Sequence, residues 1–179
     1  MLEQDKAIKK AMISSTARDL PEHRKQVMDA CYRQDCLPLM MEHLPASDAE
    51  AISVSIQMVD KADIYIGVFA YRYGYIPKGH SISVTEMEYD RAIGRKIPRL
   101  IFLIDEEHLI KRKDVETGPG EEKLSFFKNK VAQENIVNFF KSPDDLHAEV
   151  IHALSQLRQP FIHYHLYVGI PRYFSSIAR

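Results

Sequence analysis

Ala62-Asp63-Ile64-Tyr65-Ile66-Gly67-Val68-Phe69-Ala70 is the stretch that decides the fold. It is a short, nearly unbroken apolar run, and the turn-rich Tyr71-Arg72-Tyr73-Gly74 follows it directly. A run of this kind fits a strand buried on both faces, as in a parallel sheet covered by helices.

On either side of this strand, helical and strand-like segments alternate. Upstream, Ala11 to Ser14 reads as a first strand that ends in the hydroxyls Ser14-Ser15-Thr16. Asp19-Leu20-Pro21-Glu22 starts a helix, with an acidic cap residue and an early proline, that continues to about Gln34. Leu37 to Met41 makes the second strand, and Ser47-Asp48 opens a second helix whose Ala51, Ile52, Ile56 and Val59 recur at helical spacing. Downstream, Pro77-Lys78-Gly79 extends the turn-rich loop, Ser83 begins a third helix that stops near Gly94, and Pro98 to Ile104 gives a fourth strand. Asp105 to Glu121 is polar, holds Gly118-Pro119-Gly120, and is longer than a usual connection, which marks it as mobile or functional. A fourth helix over about Lys123 to Gln133, a short fifth strand from Ile136 to Phe140, and a last helix from Pro143 to about Leu157 complete the series.

Five alternations predict a three-layer α/β/α domain on a five-stranded parallel sheet with right-handed crossovers, in the flavodoxin-like order 2-1-3-4-5. Residues 1–158 form this domain and 159–179 a C-terminal tail. Ligands in such sheets bind beyond the carboxyl ends of the strands, where the order reverses between the first and third. That rule selects three loops: Ser14 to Asp19, Tyr71 to Gly74, and His80 to Glu86.

Composition removes several partners. The chain of 179 residues carries 24 Lys and Arg against 25 Asp and Glu, so no field of one sign favours nucleic acid or an anionic membrane surface. No apolar run approaches the roughly 18 residues of a membrane-spanning helix. Cys31 and Cys36 lie too close together for a disulfide framework and follow no secretory signal, which predicts reduced thiols and a cytosolic, cytoplasmic setting.

Missing motifs remove whole reaction classes. Neither G-x-G-x-x-G nor G-x-x-x-x-G-K-[ST] occurs, which argues against a dehydrogenase or an ATPase of the common types. A phospho-acceptor receiver needs an aspartate at the end of the third strand, where Ala70 and Tyr71 stand. The eight histidines include no H-E-x-x-H, and His163 with His165 sits on the late tail, so no metal site is expected.

What remains is the run from Ser83 to Gly94. It resembles the E-L-G-Y-A-x-A-L-G segment of nucleoside deoxyribosyltransferase-like proteins: Glu86, Tyr89, Ala92 and Gly94 match without a gap, and Met87 and Ile93 replace leucines. Glu88 departs from the pattern, which has glycine there. More of the chain is similar to one branch, the domain-of-unknown-function family 4062, whose members are themselves similar to TIR domains. The residues that carry this likeness are Ile13-Ser14-Ser15-Thr16 with Asp19-Leu20, the Pro45-Ala46-Ser47 turn, Asp63, Tyr71-Arg72-Tyr73-Gly74, and Thr85-Glu86, spanning about residues 10 to 157. The resemblance implies a nucleotide-handling domain, a defence or signalling setting, and a working glutamate at the start of the third helix, here Glu86.

Chemistry gives Glu86 a reason of its own. Breaking an N-glycosidic bond develops positive charge on the ribose, which a nearby carboxylate stabilises or traps. Ser14, Ser15 and Thr16 are suited to donate to phosphate or ribose oxygens, Arg18 and Arg72 to pair with a pyrophosphate, and Tyr71 or Tyr73 to stack on a flat ring. Asp19, Ser83 and Tyr89 belong to the same candidate ligand-binding set. Against this, Ser83-Val84-Thr85-Glu86 is also a capping box, in which Glu86 reaches back to the serine N–H. Glu88, two residues on, falls on a different helix face and reads as a solvated or packing residue. Asp63 enters the third strand at its amino end, which fits a cap or turn. Tyr71 and Tyr73 alternate along an extended segment, so they share one face. Met12, Met40, Met41 and Met58 read as core filling.

The tail from Gln159 to Arg179 carries Phe161, Tyr164, Tyr167, Tyr173 and Phe174, too aromatic for a solvated linker, and is expected to dock on its own domain, a second copy or a neighbouring module. The leading functional reading is a TIR-like glycohydrolase that needs no cofactor, takes NAD or another small-molecule nucleotide as substrate, and works as a homo-oligomer or within a multidomain assembly. Its rivals are a non-enzymatic self-association module and base transfer between deoxynucleosides.

Overall fold

The computed structural model describes residues 8–41, 47–105 and 115–158. Strands β1 (Lys9–Ser15), β2 (Cys36–Leu39), β3 (Ile64–Phe69), β4 (Arg99–Ile104) and β5 (Val137–Phe140) alternate with helices α1 (Pro21–Arg33), α2 (Asp48–Lys61), α3 (Val84–Arg95), α4 (Pro119–Glu134) and α5 (Pro143–Arg158). The five strands pair in parallel in the order β2-β1-β3-β4-β5, the architecture that the alternation predicts.

A two-residue period in the strands builds two cores. Ala11 and Ile13 of β1, Ile64, Ile66 and Val68 of β3, and Phe102 and Ile104 of β4 pack under α1 and α5. Met12, Tyr65, Phe69, Ile101 and Leu103 point the other way, onto residues of α2, α3 and α4. Every residue of β3 is buried, because helices cover both of its faces. Gly67 is the one position on it without a side chain: a Cβ there would lie 2.7 Å from the Phe69 ring and 3.0 Å from the Tyr65 ring.

Local signals set most boundaries. The Ser47 hydroxyl accepts the Glu50 N–H at 3.2 Å to cap α2, and Ser83 does the same for α3 with Glu86. Asp63 accepts the Lys10 N–H at 2.8 Å and returns its own N–H to the Lys10 carbonyl at 2.8 Å, pinning the start of the β1–β3 register. Three expected helix ends differ, the first being the start of α4, which lies at Pro119, four residues before Lys123. Helix α1 is capped by Leu20 with no side-chain bond, since Asp19 is engaged elsewhere. Helix α3 runs through Gly94 and ends at Lys96 in the left-handed conformation (φ 56°). Residues 106–114 of the long polar connection and the tail from 159 onward lie outside the described residues. No helix among the described residues is long and apolar enough to cross a membrane.

Candidate functional site

A cavity of about 610 Å³ opens at the carboxyl ends of β1 and β3, within the size range of small-molecule sites. Ser15 borders it from the end of β1, Thr16 and Arg18 from the loop that follows, Arg72 and Gly74 from the loop after β3, and Thr85 and Glu88 from α3. Gly74 has a positive φ of 94°, and a Cβ on it would stand 3.1 Å from Thr85 Oγ1 and 3.2 Å from Thr16 Cγ2. Its bare backbone keeps the gap between those two side chains open.

Glu88 is the chemically distinctive residue of this wall. Only 5% exposed, it accepts a hydrogen bond from the Ser14 hydroxyl on Oε2, and the Ser55 hydroxyl of α2 also favours its charged form. Burial pushes its carboxyl up to about 7, while the two hydroxyls and the Arg24 charge pull the other way. Arg24, 6% exposed, donates from Nη1 to the Ser15 carbonyl (3.1 Å) and hydroxyl (2.9 Å), and from Nη2 to the Met41 carbonyl at 2.8 Å. The cavity is thus bordered by a buried carboxyl and a buried guanidinium, one from each helical layer. A carboxyl that titrates near neutrality can hold a proton for a leaving group or a negative charge for a developing cation.

The sequence-derived candidates divide. Ser15, Thr16, Arg18 and Arg72 border the cavity, and Ser14 reaches it through Glu88. Glu86 does not border it. Its carboxylate accepts from the Tyr73 hydroxyl and lies 3.3 Å from Lys130 Nζ. Ser83 Oγ accepts the Glu86 N–H at 3.2 Å, but the Ser83 N–H donates to the Tyr73 oxygen at 3.3 Å. The expected capping box is therefore closed through a phenol, whose pKa burial and then Glu86 push up to about 12.

Asp19 fastens two loops: the Thr16 hydroxyl donates to Oδ1, and Oδ2 accepts the Tyr71 N–H at 3.4 Å. Burial raises its pKa against those bonds. Tyr71 and Tyr73 do not share a face. Tyr71 packs against the α1–α5 core with Lys128 Nζ 5.6 Å from its ring centre, whereas Tyr73 belongs to the opposite core. Strand β3 ends at Phe69, and the bend at Tyr71 breaks the two-residue period on which that expectation rested. Tyr89 is fully buried, donating to Glu134 Oε2 at 2.7 Å and accepting from Asn135 Nδ2 at 2.6 Å, on the α4 side of α3.

Glu88, Arg24, Thr85, Glu116 and Met41 border the cavity and were not among those candidates; Met41, read as core filling, lines it instead. A signal for the two buried charges was present. Thr85, Glu88 and Ala92 repeat at helical spacing along the buried stripe of α3, and Leu20, Arg24, Val27 and Cys31 do so on α1. A charged residue on an otherwise buried stripe is held there by a partner or by function.

The family model described as Domain of unknown function (DUF4062) matches residues 10–155. The chain belongs to this family. No curated protein matches this DUF4062 domain. Among solved structures, a 2-desoxiribosyltransferase from Leishmania mexicana is 18% identical, covering 63% of this chain and 76% of its own, with a TM-score of 0.43. A CMP N-glycosidase from Clostridium botulinum, BcmB, is 9% identical, covering 83% of this chain and 97% of its own, with a TM-score of 0.48.

Proposed function

We propose that this DUF4062 domain cleaves the N-glycosidic bond of a nucleotide bound at the crossover of β1 and β3, with Glu88 in place of Glu86 as the reacting carboxylate. The observation that carries the reading is a buried glutamate, its carboxyl pushed up to about 7, on the wall of a 610 Å³ cavity bordered by hydroxyls and arginines. As the C1′–N bond lengthens, positive charge grows on the ribose and the bonding pair leaves with the base. Ionised Glu88 stabilises that charge; protonated, it supplies the proton that a neutral base needs on departure. Water then gives its hydroxyl to C1′ and its remaining proton restores the balance. NAD is the first substrate to try, because its nicotinamide is already cationic and leaves neutral without a proton. A signalling or defence setting belongs to the same proposal and rests on the resemblance to TIR domains.

The test is release of free base, followed by chromatography, from NAD and from nucleoside monophosphates incubated with the purified chain. Base released by the wild type and lost in Glu88→Gln supports the proposal. Absence of release from every nucleotide at high protein concentration removes it and leaves the non-enzymatic self-association reading. Exchange of one base for another on a deoxynucleoside, without net hydrolysis, makes the domain a transferase.

A further inference from the structure

We infer that Glu116 is the resident counter-ion of a phosphate subsite in this cavity, holding Arg72 until the phosphate of a nucleotide takes its place; the inference rests on the nucleotide reading above. Among the described residues three arginines border the cavity, and they are not equivalent. Arg24 is buried and spends its two terminal nitrogens on Ser15 and Met41, which makes it part of the wall. Arg18 and Arg72 come from two different loops and are the cations placed to meet a ligand.

Arg72 Nη2 stands 3.8 Å from Glu116 Oε1, beyond hydrogen-bond reach, with both side chains 20% exposed. The Glu116 main chain is fixed independently, its N–H donating to the Tyr71 carbonyl at 2.7 Å, and its second oxygen accepts the Tyr73 N–H at 3.3 Å. The carboxylate is thus carried into the cavity by its backbone and meets Arg72 only loosely. A part-exposed ion pair without a direct hydrogen bond is a weak one. A phosphate offers the same guanidinium up to two negative charges and a pair of parallel N–H···O bonds. Carboxylate and phosphate repel at one guanidinium, so the stronger anion displaces the weaker, and the Glu116 side chain turns aside while its N–H stays bonded to Tyr71. The cavity then favours phosphorylated nucleotides over free nucleosides, because only they can make the exchange.

Inorganic pyrophosphate tests this without any glycosidic bond, by isothermal titration calorimetry on the full chain. Glu116→Gln keeps an oxygen for the Tyr73 N–H and removes the competing charge. It should tighten pyrophosphate binding on the order of threefold to tenfold. Arg72→Gln should weaken binding at least about tenfold, with the unfolding midpoint measured alongside to show that the fold is kept. Pyrophosphate that fails to bind, or an affinity that Glu116→Gln leaves unchanged or weakens, overturns the inference. Pyrophosphate binding as expected with no base released from any nucleotide removes the glycosidase reading and keeps the subsite. Equal kcat/KM on nucleosides and nucleotides, untouched by Arg72→Gln, keeps the glycosidase and removes the subsite.

Discussion

The hydroxyl of Ser14, at the end of β1, donates to the carboxylate of Glu88, seventy-four residues later on α3. This bond joins the first strand to the third helix at the wall of the cavity and favours the ionised carboxylate. Ser14→Ala should therefore raise the Glu88 titration midpoint above its value of about 7, by roughly one unit. Carbon-13 NMR of the glutamate carboxyls, assigned with Glu88→Gln, measures it. A midpoint that stays or falls would show that the hydroxyl does not stabilise the charge.

The same carboxyl ties stability to pH. Folded, Glu88 keeps its proton to about pH 7, while the unfolded chain releases it near the ordinary 4.5. The native state binds the extra proton between those values, so its stability falls as pH rises through that window, by about 3 kcal/mol in all. Below pH 4.5 the contribution is fully present, and above 7 it is gone. Glu88→Gln lacks this dependence. Urea unfolding at pH 5 and pH 8 should show the variant gaining on the wild type by about that amount at the higher pH. Parallel pH profiles for the two proteins would contradict the buried titration.

At Tyr73 the expected effect is structural. Its hydroxyl accepts the Ser83 N–H and donates to Glu86, closing the start of α3. Tyr73→Phe leaves the Ser83 N–H without that acceptor and should cost about 1–3 kcal/mol in urea unfolding. The Glu88 midpoint should not move. A variant as stable as the wild type would mean that water replaces the phenol at no cost.

The sheet was legible because both period and punctuation speak for it: apolar runs such as Ile64 to Phe69, and serine caps at 47 and 83. The site was legible as a place before it was legible as residues. The crossover rule pointed to the loops that carry Ser15, Thr16, Arg18 and Arg72, which do border the cavity. Glu86 stands out by motif, whereas Glu88 reads as a solvated or packing residue because two carboxylates two residues apart lie on different helix faces. That spacing argument holds. What it could not supply was the helix phase, which the buried stripe through Thr85, Glu88 and Ala92 does. Glu116 had no local signal, since only tertiary folding brings the stretch before α4 against Tyr71 and Tyr73.

The two glutamates of α3 can be set directly against each other. Release of free base from a nucleotide should be measured as kcat/KM for the wild type, Glu86→Gln and Glu88→Gln at pH 7, with folding checked by urea unfolding. Glutamine at 86 keeps an acceptor for Tyr73, so activity should stay within about threefold of the wild type; glutamine at 88 removes the titrating group, and activity should fall by at least about a hundredfold. The opposite ranking, with Glu88→Gln active and Glu86→Gln dead, would contradict the assignment of the chemistry to Glu88.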